Sequence, residues 1–323
     1  MSRSPHVAVI VLNWNGRDDT LACLESLRQS DYSNVQVIVV DNGSTDDSVS
    51  VIRQRFPGVT LIENGKNLGY AAGNNVGLTY ALEIEAEYAF LLNNDTVIAP
   101  DCISTLVRTD CTDPAIGAVG PIVYTWDDGR VISSAGGAID WRHADAANIG
   151  AGEIDRGQYA ARPVDFVNGC GLMLTRQAVE RVGLLDERYF MYWEETDWCT
   201  RVRRAGLDLR FEPAARMRHK ATIRSDDLGP MPLYYMTRNR LLFFATHAPP
   251  RIRPITLAHA VHGAWRGIIG NRRAGRFQHA QAMQTGIVDG LRRRWGRIDA
   301  PAWQSDRSAP LQVDNVYAAQ DNP

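Results

Sequence analysis

From Val7 onward the chain alternates between two hydrophobic periods. Val7 to Leu12 is an unbroken apolar run, the pattern of a strand covered on both faces. Beyond it, Asp18 and Asp19 open a segment with Leu21, Leu24 and Leu27 at helical spacing, the acids lying where a helix dipole favours them. The same alternation predicts strands over Val35–Val40, Val59–Ile62 and Tyr88–Leu92, a helix opened by Asp46 and Asp47, and another over Tyr70–Glu83. A β-α-β-α-β-α-β order implies an α/β fold, a mainly parallel sheet flanked by helices. The stretch Ala115–Phe166 carries Gly136-Gly137 and Gly150-Ala-Gly152 and reads as irregular strands and loops. Helices are predicted over Thr175–Arg181 and Thr196–Ala205, the second ended by Gly206, then a strand over Leu207–Phe211 and only helices from Met231. Three regions follow: a catalytic domain over 1–229, a basic, amphipathic helical appendage over 230–298, and a polar tail over 299–323 expected to be disordered.

At 323 residues, 45% hydrophobic and 22% charged, the chain has ample material for a core. Its five cysteines form no C-x-x-C pair, so neither a zinc knuckle nor a redox motif is indicated, and the odd count fits a reducing cytosol. There is no signal-peptide pattern and no run of about 18 apolar residues, so a cytoplasmic protein without a transmembrane segment is expected. Nothing points to a nucleic-acid partner.

In an open α/β sheet, ligands bind beyond the carboxyl ends of the strands. Three of those ends are small, polar and acceptor-rich: Asn13-Trp14-Asn15-Gly16, Asp41-Asn42-Gly43-Ser44 and Asn93-Asn94-Asp95-Thr96. Each could be only a turn or cap, but three on one rim suggest a shared site. The Gly- and Asn-rich Asn67-Leu-Gly-Tyr-Ala-Ala-Gly-Asn-Asn75 opens a helix and would suit a phosphate. Trp193-Glu-Glu-Thr-Asp-Trp198 puts Glu194, Glu195 and Asp197 in the first turn of a helix, with arginines toward its far end. That layout also suits any helix dipole, but aromatic walls beside paired glutamates would raise a carboxylate pKa, as a general base requires. On residue type alone His219 is an ordinary strand-end histidine.

Taken together, Val9–Gly16, Val39–Asp46, Asn67–Asn75, Leu91–Thr96, Asn168–Gly171 and Val182–Phe190 running into Trp193–Asp197 resemble the family-2 glycosyltransferases of GT-A (Rossmann-like) fold, rhamnosyltransferase-like group, over about residues 7 to 245. The resemblance implies an inverting enzyme that uses Mg2+ or Mn2+ to move a sugar from a nucleotide-diphosphate donor to a hydroxyl of a glycan or lipid-linked glycan. dTDP-L-rhamnose is the favoured donor, with UDP-hexoses as the alternative. By position, Asn13, Asn15, Asp41, Asn67, Gly69, Asn75, Asn93 and Asn94 would bind the nucleotide sugar, and Asp95 and His219 the metal. Glu195 would be the base, with Glu194 and Asp197 beside it, and Trp193, Arg238 and Asn239 would meet the acceptor. Two positions depart from the family pattern: Asn93 begins the metal motif, and Glu195 stands where many members have Asp.

A nicotinamide dehydrogenase would need G-x-G-x-x-G after the first strand, where Asn13-Trp-Asn-Gly-Arg-Asp-Asp stands. A sugar nucleotidyltransferase would need a Gly- and Arg-rich loop there, and none is visible. A catalytically degenerate binding subunit is the non-enzymatic alternative, against which the joint presence of Asp41, Asp95, His219 and the acidic cluster argues. Between Arg251 and Arg297 stand ten arginines and one acid, Asp289. Ala258, Val261, Trp265 and Ile268 recur at three and four, so this piece reads as a basic amphipathic helix. Such a helix either packs on the catalytic domain or lies on an anionic membrane, and the family resemblance favours peripheral binding at the cytoplasmic face of the inner membrane.

Overall fold

The computed structural model describes residues 4–110, 113–220, 228–299, 301 and 303. In chain order the elements are β1 Val7–Asn13, α1 Arg17–Arg28, β2 Val35–Asp41, α2 Ser48–Arg55, β3 Thr60–Glu63, α3 Gly69–Glu83, β4 Tyr88–Asn93, β5 Thr96–Ile98 and α4 Cys102–Asp110. They continue with β6 Ile116–Thr125, β7 Ile132–Ser134, β8 Gly137–Asp140, β9 Asp145–Asn148, β10 Arg162–Pro163, β11 Gly171–Thr175, α5 Arg176–Val182, α6 Glu194–Arg204 and β12 Asp208–His219. Three helices follow, α7 Pro230–His247, α8 Arg253–Arg273 and α9 Phe277–Leu291.

Two compact units divide the described residues. The first is drawn from Met1–Ala138, Ala147–Asp186 and Glu195–Thr222, the second from Ile139–Ala146, Glu187–Glu194 and Ile223–Pro323. The single boundary expected at 229/230 is therefore crossed by two internal segments that belong with the helices. In the first unit one sheet runs β10-β12-β6-β11-β4-β1-β2-β3. Strands β4, β1, β2 and β3 are parallel, as are β6 and β12, while β11 runs antiparallel between β4 and β6. The core forms where the inward faces of these strands meet the apolar sides of α1 and α4: Val9, Val11, Leu24, Phe90, Ile103 and Leu106 are all buried.

Helix α3 lies close to the sheet because it carries glycines on the facing side. A Cβ at Gly77 would come within 2.4 Å of Ile10 Cγ2, and one at Gly73 within 2.6 Å of Leu12 Cδ1. These glycines serve helix–strand packing. Gly77→Ala should therefore overpack the core and lower stability by ~1–3 kcal/mol, a shift in the urea midpoint without change of slope.

The segment Ala115–Phe166, expected to be irregular, supplies a central strand of 10 residues, β6, nearly all buried. Its Gly117 and Gly120 stand where Val202 and Val167 press in. Strand β12 is 12 residues long and extends well past the five anticipated. It pairs with β6 in two stretches, and between Glu212↔Pro121 and Arg216↔Ile122 the register slips, with Pro213, Ala214 and Ala215 unmatched. Beyond the slip, β12 also pairs with β5, placing His219 opposite Thr96.

In the second unit, α8 and α9 pack through Ala264, Ile268, Ala280, Met283 and Ile287. Helix α8 buries Thr256, Ala260, Ala264 and Ile268, so the stripe read from the sequence is corrected: Ile268 is on the buried face but Trp265 is on the outer one, 49% exposed. Small residues at 256, 260 and 264 and Ile268 form the buried side of α8, while Ile255, Trp265 and Ile269 lie outside. The polar tail falls mostly outside the described residues. Of it Trp303 is buried, its ring 5.2 Å from that of Tyr234, against the expectation of disorder there.

Candidate active site

The three acceptor-rich strand ends do meet on one rim of the first unit, joined by a continuous hydrogen-bond network. Asn13, at the end of β1, donates to Asp41 Oδ1 at 2.8 Å and to Ser44 Oγ at 3.0 Å. Thr20 Oγ1 lies 2.8 Å from Asn13 Oδ1, and Asn94 Nδ2 donates to Thr20 at 3.0 Å. Asp41 also accepts from the backbone N–H groups of Gly43 and Ser44 and from the Ser44 hydroxyl. With Asn13 this makes four donors on one carboxylate, so Asp41 organises the turn after β2. Asn15 lies in the left-handed region (φ 52) and accepts from the Thr45 N–H at 2.7 Å. Ser44 and Thr20 were not singled out from sequence; as single hydroxyls in polar stretches they give no signal of their own.

Asn67 Oδ1 accepts from the Gly69 N–H at 2.8 Å and shares Asn42, whose amide reaches the Gly69 carbonyl, so the Asn67–Gly69 turn is tied to the end of β2. Asn75 goes elsewhere. It is buried inside α3 and exchanges two hydrogen bonds with the backbone of Leu185 (2.9 and 3.0 Å), so its amide fixes the chain after α5 and leaves no group for a nucleotide.

Asp95 follows β4 and is 2% exposed. Among the described residues neither of its carboxylate oxygens has a hydrogen-bond partner, nor does Asn93 Oδ1. His219 Nε2 lies 3.1 Å from Asp95 Oδ1, an ion pair when the imidazole is protonated, and 3.3 Å from Asn93 Nδ2. Burial opposes a charge on His219, but Asp95 and Cys170 outweigh it and hold the imidazole well above its ordinary pKa. A buried carboxylate is costly unless a cation meets it, a part that His219, its pKa raised, plays toward Asp95 here. A carboxylate beside an imidazole is also a ligand pair of the type that Mg2+ or Mn2+ takes. Among the described residues no group of three or more His, Cys, Asp or Glu could hold a metal. Beside this pair, Lys220 is bound to Asp19 and sits 4.9 Å from the centroid of the Trp126 ring. Its place next to His219, as one of only two lysines, was the one clue in the sequence.

Within the acidic cluster, environments separate the three carboxylates. Asp197 is paired with Arg201 at 2.8 Å and is 2% exposed; Arg201 in turn donates to the carbonyls of Val182 and Leu184. Asp197 thus anchors α6, which removes it from the catalytic candidates. Glu194 is buried. Glu195 keeps partial solvent contact and lies against the Asn168–Gly171 turn, where a Cβ on Gly169 would be 3.4 Å from its Cγ. Burial raises the Glu195 pKa, partly offset by hydrogen bonds at the start of α6, from its own and the Thr196 N–H and from the Thr196 hydroxyl.

In the second unit, Trp193 is half-buried with its ring 5.1 Å from Phe243. Arg238 and Asn239 are placed differently from an acceptor contact: they are 1% and 0% exposed, and their donors lie on backbone carbonyls of residues 188–192 and on Gly296.

The mainly parallel sheet thus carries, at its strand ends, an asparagine–aspartate network and the buried Asp95–His219 pair, on the rim where open α/β sheets bind ligands. Residues 8–183 match Glycosyl transferase family 2, and the chain belongs to that family. It is 31% identical over 215 residues to the N-acetylglucosaminyl-diphospho-decaprenol L-rhamnosyltransferase of Mycobacterium tuberculosis (strain ATCC 25618 / H37Rv), covering 61% of this chain and 70% of that protein. It is 25% identical over 260 residues to the dTDP-rhamnosyl transferase RfbF of Shigella flexneri, covering 76% and 82%. In fold it is similar to a mannosyltransferase from Pyrobaculum calidifontis solved with GDP-Man and Mn2+, at TM-score 0.58, 18% identity, and coverage of 91% of this chain and 89% of that one. The protein is thus a glycosyltransferase of GT-A fold and of the rhamnosyltransferase-like group.

Proposed function

We propose that this enzyme transfers L-rhamnose from dTDP-L-rhamnose, with inversion, to a sugar hydroxyl of an N-acetylglucosaminyl-diphospho-prenol or similar lipid-linked glycan. The observation that carries the reading is the buried carboxylate of Asp95 facing the His219 imidazole at the strand-end rim, with no hydrogen bond to either oxygen among the described residues. Asp95 and His219 hold Mg2+ or Mn2+, which supplies charge neutralisation of the leaving diphosphate. Asn13, Asn15, Asp41, Asn67 and Gly69 shape the nucleotide end, and a base or ribose contact to Asp41 replaces one of the four donors it now accepts. Asn93 and Asn94 border the diphosphate. Glu195 takes the proton of the acceptor hydroxyl; the acceptor oxygen bonds to the anomeric carbon as the bond from that carbon to the diphosphate oxygen breaks, and dTDP leaves. Its raised pKa brings it nearer the neutral range in which a base works best.

The relatives named for rhamnosyl transfer support the donor, and the lipid-linked acceptor named for the mycobacterial relative supports the acceptor class. Nucleoside-diphosphate release, measured with the acceptor across a panel of nucleotide sugars, tests the reading. Rhamnose-dependent release of dTDP is expected; preferential turnover of UDP-hexoses would reassign the donor, and no turnover of any would favour a degenerate subunit.

We further place the enzyme on the anionic cytoplasmic leaflet. No described helix is long and apolar enough to cross a membrane. Helix α8 instead presents Ile255, Trp265 and Ile269 outward, 51%, 49% and 45% exposed, on one side of a helix that ends in Arg272 and Arg273. Apolar insertion plus arginine, each basic residue adding about 1 kcal/mol near the surface, suits acidic lipid. The protein should co-sediment with phosphatidylglycerol vesicles at low salt and be released at high salt, and Trp265→Ser with Ile269→Ser should weaken binding about tenfold. Equal failure to bind anionic and neutral vesicles would remove this placement.

A further inference from the structure

The Asn168–Gly171 turn, which leads into β11, is held from several directions, all within the first unit. Asn168 closes the turn: its Oδ1 accepts from the Cys170 N–H at 3.0 Å and its carbonyl from the Gly171 N–H at 3.2 Å. On one side the Cys170 carbonyl accepts from the Asn93 N–H at 3.1 Å, and the Cys170 thiol meets His219. On the other side the Gly169 carbonyl accepts from the Tyr70 hydroxyl at 2.7 Å. Tyr70 is the second residue of α3 and directly follows the Asn67–Gly69 turn.

Glu195 rests on the same glycine. A Cβ on Gly169 would lie 3.4 Å from both Cβ and Cγ of Glu195 and 3.3 Å from the Tyr70 oxygen. The stem of the glutamate and the tyrosine hydroxyl therefore bracket one residue of backbone. A glutamate has three side-chain torsions, so aiming its carboxylate takes contacts along its length. At the tip, Glu195 Oε1 has the Thr196 hydroxyl at 3.3 Å, a long bond. Along the stem it has the bare backbone of Gly169, and where that backbone stands is set by the hydroxyl holding its carbonyl.

We propose that Tyr70 is a positioning residue for the base: by holding the Gly169 carbonyl it fixes the surface against which Glu195 is aimed. The inference rests on the functional reading above, with Glu195 as the base. It links the two halves of the transfer, because the residue that follows the nucleotide-side turn sets the group that activates the acceptor.

Tyr70→Phe keeps the ring and removes only the bond. With dTDP-L-rhamnose, Mn2+ and a short-chain N-acetylglucosaminyl-diphospho-prenol, its kcat should fall about tenfold, part of the hundredfold that a misplacement of ~1 Å can cost. The Kd for dTDP, and that for Mn2+ read by electron paramagnetic resonance, should stay within about twofold. A hydroxyl that merely braced the rim would loosen the turn at Cys170 and Asn93 as well, and metal binding would fall with kcat. Gly169→Ala presses on the same contact from the glycine side and should give the same pattern. The double variant should lie within about twofold of the worse single one, since both act through one contact. Unchanged kcat in folded Tyr70→Phe, a parallel loss of Mn2+ affinity, additive losses, or failure of both variants to fold would each overturn the proposal. Glu195→Gln tells this failure from that of the functional reading. Normal turnover in Glu195→Gln, or no transfer by the wild type, removes the reading and this inference with it. Collapse in Glu195→Gln beside an unchanged Tyr70→Phe removes the inference alone.

Discussion

Asp95→Asn should lower transfer on the order of a hundredfold or more, and excess chelator should do the same to the wild type. The substitution changes one oxygen to nitrogen in a side chain that is 2% exposed, so shape and packing are retained. What is lost is the charge, which faces the His219 imidazole at 3.1 Å. The substitution also removes the partner of the buried His219 imidazole, so Tm is measured beside activity, and a variant that stays folded at the assay temperature separates lost catalysis from lost fold. Mn2+ titration followed by electron paramagnetic resonance should show weakened binding in Asp95→Asn and in His219→Ala. Full turnover in excess chelator would sink the metal assignment.

Glu195→Gln should also abolish most transfer while leaving dTDP binding intact, because the amide keeps the shape and cannot take a proton. A second consequence follows from the sign of its shift. Burial raises the folded-state pKa of Glu195 above its unfolded value. The native protein therefore favours the protonated form, and the stability of the wild type falls as pH rises through that raised pKa. Glutamine does not titrate, so Glu195→Gln should raise Tm by ~2 °C or more at neutral pH, with the gain vanishing below the ordinary glutamate pKa. The acid limb of wild-type kcat should correspondingly lie above the ordinary glutamate range. If Glu195→Gln turns over normally and Glu194→Gln does not, the base is one residue earlier; a product of retained anomeric configuration would remove the inverting mechanism.

The parallel half of the sheet was legible because a strand covered on both faces is a continuous apolar run, and because its polar ends stand out against that run. Asn13, Asp41 and Asp95 were singled out as candidates for that reason. Strand β6 was not, although it lies at the middle of the sheet. Ile116-Gly-Ala-Val-Gly-Pro-Ile-Val-Tyr-Thr125 contains two glycines and a proline, which locally mean turn. The glycines are there because Val202 and Val167 leave no room for a Cβ. Pro121 is tolerated because it pairs at the last position before β12 loses register. Both reasons are tertiary. The roles of Asn75, Asp197, Arg238 and Asn239 were hidden in the same way: an amide, a carboxylate or a guanidinium has the same chemistry toward a ligand as toward a distant carbonyl or arginine, and only the fold decides which it meets.

The slip in β12 has a bearing on how such a protein tolerates length change. The distance from Asp95 to His219 is set by the short ladder Met217↔Ile98, Arg218↔Val97, His219↔Thr96, in which neighbouring side chains point to opposite faces. A residue inserted after Arg216 would turn His219 to the far side of the sheet and bring Arg218 into its place. A residue inserted among Pro213, Ala214 and Ala215 falls where three are already unmatched, and the ladder beyond need not move. The irregularity thus works as slack, isolating the last four residues of the strand from insertions and deletions arriving from the α6 side.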